Sequence, residues 1–165
     1  MYPDQKTLLC LLLYVGVGAG CAGQSPRHDG DLAAEAALQF AQLAYFTLDT
    51  RRAYDSAHEA FREITSYTQF DKIFRTMAAR MPFERIEAKE YEIPEGKEPL
   101  VIVYAEGYLP DKTFYLRFFM WGTARDGYRL YRISSAENPF VRQTGNGVSL
   151  TRTHLIRNGP RVIES

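Results

Sequence analysis

Asp55, His58 and Glu59 are the residues of this 165-residue chain whose types and spacing most invite chemistry. On one helical turn they bring two carboxylates beside an imidazole, which is the raw material of a metal ligand set or an acid–base pair. A zinc site needs at least three convergent ligands and usually more than one histidine, and His58 is alone in its region. A solvated helix face with an i, i+3 charge pair accounts for the same three residues. No nucleophile elbow, P-loop or dinucleotide fingerprint is present, and no metal or cofactor is expected. Both cysteines, Cys10 and Cys21, lie in the first 21 residues, so the remainder has no thiol for a disulfide or a thiolate metal site.

Cys21 itself has a chemistry suggested by what precedes it. Met1 to Lys6 carries one basic side chain, and TLLCLLLYVGVGAG then runs uncharged to Cys21. That run is short of the ~20 residues that span a bilayer and suits a secretory apolar segment. The residues Gly18-Ala19-Gly20-Cys21 resemble a bacterial lipobox, with Gly18 where leucine is commonest. The resemblance implies that Cys21 is diacylated on sulfur, becomes the new N-terminus and ties the protein to a membrane. Several acyl chains are needed, because one alone holds only marginally. Ala22, rather than Asp, implies the outer membrane under enterobacteria-like sorting, with the protein facing the periplasm. Ordinary cleavage near Ala22 and an uncleaved anchor are the competing readings. The chain divides accordingly into a signal peptide (1–20), a lipidated flexible leader (21–30), a folded domain (31–140) and a basic tail (141–165). Four arginines (142, 152, 157, 161) face only Glu164 in that tail, which is expected to be disordered or to add a strand.

Three helices are expected between Asp31 and Met81. Asp31 caps the first, with Ala33, Ala36, Ala37, Phe40, Leu43, Ala44 and Thr47 at helical spacing. Asp49-Thr50 breaks it, and Tyr54, Ala57, Phe61 and Ile64 stripe a second. Ser66 with Gln69 forms a capping box for a third, striped by Phe70, Ile73, Phe74, Met77 and Met81 and stopped by Pro82. Narrow apolar stripes suit helices laid on a sheet.

The sheet follows. FERIEAKEYEI, with four glutamates, suits a charged edge strand. PLVIVYAEGYL alternates Val101, Val103, Ala105 and Gly107 with Ile102, Tyr104, Glu106 and Tyr108. TFYLRFFMW sets a wholly apolar face, Phe114, Leu116, Phe118 and Met120, against Tyr115, Arg117, Phe119 and Trp121. An Asp126-Gly127 type I′ turn leads to the last strand, whose inward face the pattern leaves open.

Helices followed by a four-stranded antiparallel meander predict an α+β fold with three N-terminal helices on one sheet face. With Phe40, Ala53-Tyr54, Phe61, Ser66 with Phe70, the aromatic strand to Trp121 and the Asp-Gly turn before Tyr128 and Tyr131, this order resembles the nuclear transport factor two-like, or cystatin-like, superfamily. More narrowly it is similar to small lipoproteins of that superfamily. The resemblance implies a cone-shaped curved sheet around helices, and open-face dimers are frequent in the superfamily. Its isomerases and dehydratases use Asp or His in the cone, but no motif here carries such a residue over. A non-catalytic binding or assembly module is therefore expected, with a small-molecule pocket enzyme of that kind as the alternative. Tyr104, Tyr108, Tyr115, Arg117, Phe119 and Trp121 form the candidate interface, for a homodimer or another protein, unless the tail folds over it. Twenty basic residues balance twenty acidic ones, and no nucleic-acid partner is expected.

Overall fold

The computed structural model describes residues 27–96, 98–140, 153–157 and 159–164. The signal peptide, Cys21, most of the leader, and tail residues 141–152 with their VSL segment lie outside them. Among the described residues the order is α1 (Gly30–Ala41), a π-helical turn (Gln42–Phe46), α2 (Thr50–Ser56), α3 (Glu59–Ile64), α4 (Tyr67–Arg80), β1 (Arg85–Glu92), β2 (Leu100–Tyr108), β3 (Thr113–Thr123), β4 (Gly127–Ala136), β5 (Thr153–Leu155) and β6 (Arg161–Glu164). This is an α+β fold with one antiparallel sheet.

The alternating pattern settles which face is inside. Leu116 and Phe118 are fully buried, Phe114 and Met120 nearly so, and Val101, Val103 and Ala105 join them from the paired strand. Burial of each such side chain is worth about 1.5–3 kcal/mol, so a one-residue slip in register is strongly disfavoured. Four alanines of α1, Ala33, Ala34, Ala37 and Ala41, have no exposed surface, and their small size lets the helix lie close against the sheet. Beyond α1 an edge-to-face aromatic cluster completes the core: Phe40 lies 6.1 Å from Phe70 and 5.7 Å from Phe74, and Tyr45 lies 5.3 Å from Phe74 and 5.5 Å from Phe83.

Several sequence expectations need correction. The second helix is two, because Ala57 and His58 are both extended. His58 caps α3, its Nδ1 accepting from the Ala60 amide at 3.2 Å, while its own amide donates to the Leu130 carbonyl at 2.8 Å. That bend carries the chain to the β4 edge and leaves Ile64, assigned to the stripe, 81% exposed; Ile73 is exposed too. Asp31 does not cap α1. Asp29 does, accepting from the Asp31 and Leu32 amides. The expected capping box of Ser66 with Gln69 is formed.

The sheet differs in three ways. Thr123 pairs with Gly127, so the turn holds three residues, Ala124 to Asp126, in place of a two-residue type I′ turn. Thr123 Oγ1 accepts from the Arg125 and Asp126 amides, and Gly127 takes φ +80°, which favours glycine. The sheet has six strands rather than four, and β1 is not an edge: β5 pairs with Glu90–Glu92 and β6 with Arg85–Ala88. Residues 27–30, assigned to the leader, are part of the domain. The Arg27 carbonyl accepts from Ala124, and the Asp29 amide donates to the Tyr128 hydroxyl at 2.8 Å.

Two register shifts explain the imperfect alternation of β1 and β4. Between Ala88 and Glu90 the inward set switches from Ile86 and Ala88 to Tyr91. Opposite Phe119 and Met120, β4 inserts Tyr131, so Tyr128 and Leu130 point inward before the shift and Ile133 pairs with Phe118 after it. An extra residue reverses every later side chain.

Candidate docking face on the sheet

The register places the outward side chains in rows across the sheet. From β1 to β4 one row reads Glu87, Glu106, Tyr115; the next Glu90, Tyr104, Arg117, Ser134; the next Glu92, Ile102, Phe119, Arg132; and Trp121 stands beside Arg129. The face is therefore acidic along β1 and β2, aromatic in the middle, and basic along β3 and β4. All six residues of the sequence-predicted interface lie on it, each half-buried.

They do not form one open patch. Tyr108 is bound into a carboxylate network: its hydroxyl lies within hydrogen-bonding reach of Glu87 Oε2, at 3.0 Å, and of Glu106 Oε2, and Lys89 Nζ reaches Glu87 at 2.6 Å and Glu106 at 3.6 Å. The bond from Lys89 holds the Glu87 carboxyl below the usual carboxylate range. Arg85 stacks on the Tyr108 ring at 4.1 Å. Tyr104 donates to Glu92 at 2.6 Å, and burial, reinforced by that bond, pushes its phenol up to about 12. Phe140, just past the end of β4, lies over this middle region, 6.3 Å from Tyr104 and 4.5 Å from the Arg117 guanidinium. Arg117 also stacks on Phe119 at 5.0 Å and donates to Ser134, and Arg132 stacks on Phe119 at 5.5 Å. Trp121 sits at the far end with Tyr131 at 5.5 Å and His58 at 5.7 Å.

A groove of about 540 Å³ opens on this face between Lys89, Glu106, Tyr104 and Tyr115 on its floor and Phe140, Leu155 and Pro160 on its rim. Tyr104 remains a protonated donor at neutral pH, and Glu87 remains an anion already matched by Lys89. His58 is spent on capping and stacking, and among the described residues no group of three or more His, Cys, Asp or Glu is placed to hold a metal. The described core is chiefly apolar. Its buried polar residues among those described are Asp31, engaged by Arg157, and Thr50, which donates to Asp71. Tyr45, inside the aromatic cluster, has a hydroxyl without a partner, and burial pushes its ionisation far up.

Sequence reasoning missed Glu87, Lys89, Glu92, Arg132 and Phe140 as members of this face. The first four sit in strands whose side-chain parity is altered by a bulge, and Phe140 lies past the last strand of the meander. Comparison of the chain with family models, with curated proteins and with solved structures finds no match.

Proposed function

We propose that this protein is an exported lipoprotein, acylated at Cys21 and facing the periplasm from the outer membrane, that serves as a non-catalytic binding and assembly module. In this reading its domain is a cone of the nuclear transport factor two-like kind, and the outward sheet face docks a second copy of the chain. The observation that carries it is the division of that face into an acidic edge and a basic edge around half-buried aromatics. A two-fold axis parallel to the strands sets the β1 side of one copy on the β4 side of the other, so Glu92 of one row meets Arg132 of the same row in its partner. Phe119 and Trp121, between the charges, are residue types that anchor interfaces.

Two experiments test its two parts. Labelled palmitate enters the wild-type protein and not Cys21→Ser; incorporation into the variant contradicts the anchor. For the face, Arg132→Glu abolishes self-association and an equimolar mixture with Glu92→Arg restores it; association that ignores both changes contradicts the docking mode.

A further inference from the structure

The two tail strands lie along a strand, β1, that is rich in charge and interrupted by a register shift. β1 carries Arg85, Glu87, Lys89, Glu90 and Glu92 among its eight residues and a register shift at its centre. Charge and bulges are devices that keep free sheet edges from pairing indiscriminately, and β1 carries both, with Glu87, Glu90 and Glu92 also facing outward across the sheet. What lies on β1 is slight. β5 has three residues and β6 four; Leu155 is 74% and Val162 45% exposed. Ile156 is buried between the two strands, Ile163 packs partly against the core, and His154 stacks on Tyr91 at 5.2 Å.

Besides the two short ladders and the Ile156 amide, which donates to the Lys89 carbonyl at 3.4 Å, the other fastenings are ionic. Arg157 donates from its backbone amide and from Nε to the Asp31 carboxylate, at 3.0 and 2.8 Å, and reaches Asp29 at 3.5 Å. Arg161 donates to Glu35 at 2.9 Å. The Arg157 side chain is 67% exposed, so salt reaches its pairs, while the Asp31 carboxylate it meets is 12% exposed. The receiving surface is the acidic first turns of α1 together with the glutamates of β1, so a strand that lies here must be basic and must present a branched apolar residue at the Ile156 and Ile163 positions.

We propose that residues 153–164 are a detachable strap, and that the β1 edge beneath it is a strand-addition site for an extended basic segment of a partner protein. The partner segment supplies the backbone ladder and the two cationic contacts that the strap supplies in the resting protein. The proposal needs neither the lipid anchor nor self-association: it concerns backbone pairing along the side of β1 away from β2, and Leu155 and Pro160 of the strap also rim the groove on the outward face.

Two measurements on the full chain decide it. In hydrogen exchange under native conditions, the Leu155, Ile156 and Val162 amides open at least ~10-fold more often than those of Val103 and Phe118, and more often still as salt is raised. Equal rates for strap and central strands overturn the proposal. In fluorescence anisotropy, a labelled peptide of residues 153–164 binds saturably, binds Arg157→Ala more tightly than wild type, and is not matched by a scrambled peptide. If the strap opens but the peptide fails to bind, or the scrambled sequence binds equally, the strand-addition site is refuted. Should Arg157→Ala not fold, the wild-type exchange and the comparison of the two peptides on wild type still decide.

Discussion

At Gly122 a single methyl group would do more harm than at most positions. The residue takes φ +142°, and a Cβ there would stand 1.9 Å from the Gly127 carbonyl oxygen across the hairpin. Neither the backbone conformation nor the space admits a side chain, so Gly122→Ala is expected to lose about 2–4 kcal/mol, read as a lowered urea midpoint. Tyr104 makes a pH prediction. Its phenol ionises at about 12 in the folded protein against 10.0 ordinarily, because burial and then the Glu92 bond favour the neutral form. The folded pKa is the higher one, so the stabilisation is whole below pH 10 and is lost as pH rises through 12. Thermal melting across that window should fall more steeply for wild type than for Tyr104→Phe. Asp71 gives the opposite sign: the Thr50 hydroxyl holds its carboxyl low, so its contribution is present above the usual carboxylate range and disappears as acid protonates it. Thr50→Val should therefore narrow the stability gap between neutral and acidic pH.

At the scale of elements, α4 depends on its first turn. Ser66 Oγ accepts from the Gln69 amide at 3.3 Å, and Gln69 Oε1 accepts from the Ser66 amide at 3.2 Å. Ser66→Ala is expected to cost about 1 kcal/mol, measurable by chemical denaturation. That box was legible in the sequence because a cap is a local matter of side chain and nearby amides. So was the inward face of β2 and β3, whose alternation no bulge interrupts. The rest was harder for physical reasons. The break at Ala57–His58 has no glycine or proline to announce it and is held by a long-range bond to Leu130. Asp29 and Asp31 are both good caps by type, and only the position of Arg157 shows why Asp31 is turned elsewhere. β5 and β6 are too short to carry a period. In β1 and β4 one extra residue inverts the parity, which hid the acidic and basic borders of the outward face while its aromatic middle, from Tyr104 to Trp121, could be named.

The described residues form a helical layer on one side of a sheet whose other side is divided by charge, closed along β1 by the tail strands. The junction with the N-terminal segment is part of that closure. Asp29 caps α1, donates its amide to Tyr128 and receives Arg157, so the start of α1 is tied to the β3–β4 hairpin and to the tail strands. Disturbing Arg157 is expected to loosen both, which a lowered melting temperature for Arg157→Ala would register. The most direct test of the docking account is sedimentation velocity of the membrane-extracted protein in density-matched detergent. Wild type should sediment as a dimer, Arg132→Glu as a monomer, and an equal mixture of Arg132→Glu with Glu92→Arg as a dimer again. A wild-type monomer at every concentration, or a dimer indifferent to both substitutions, would contradict it.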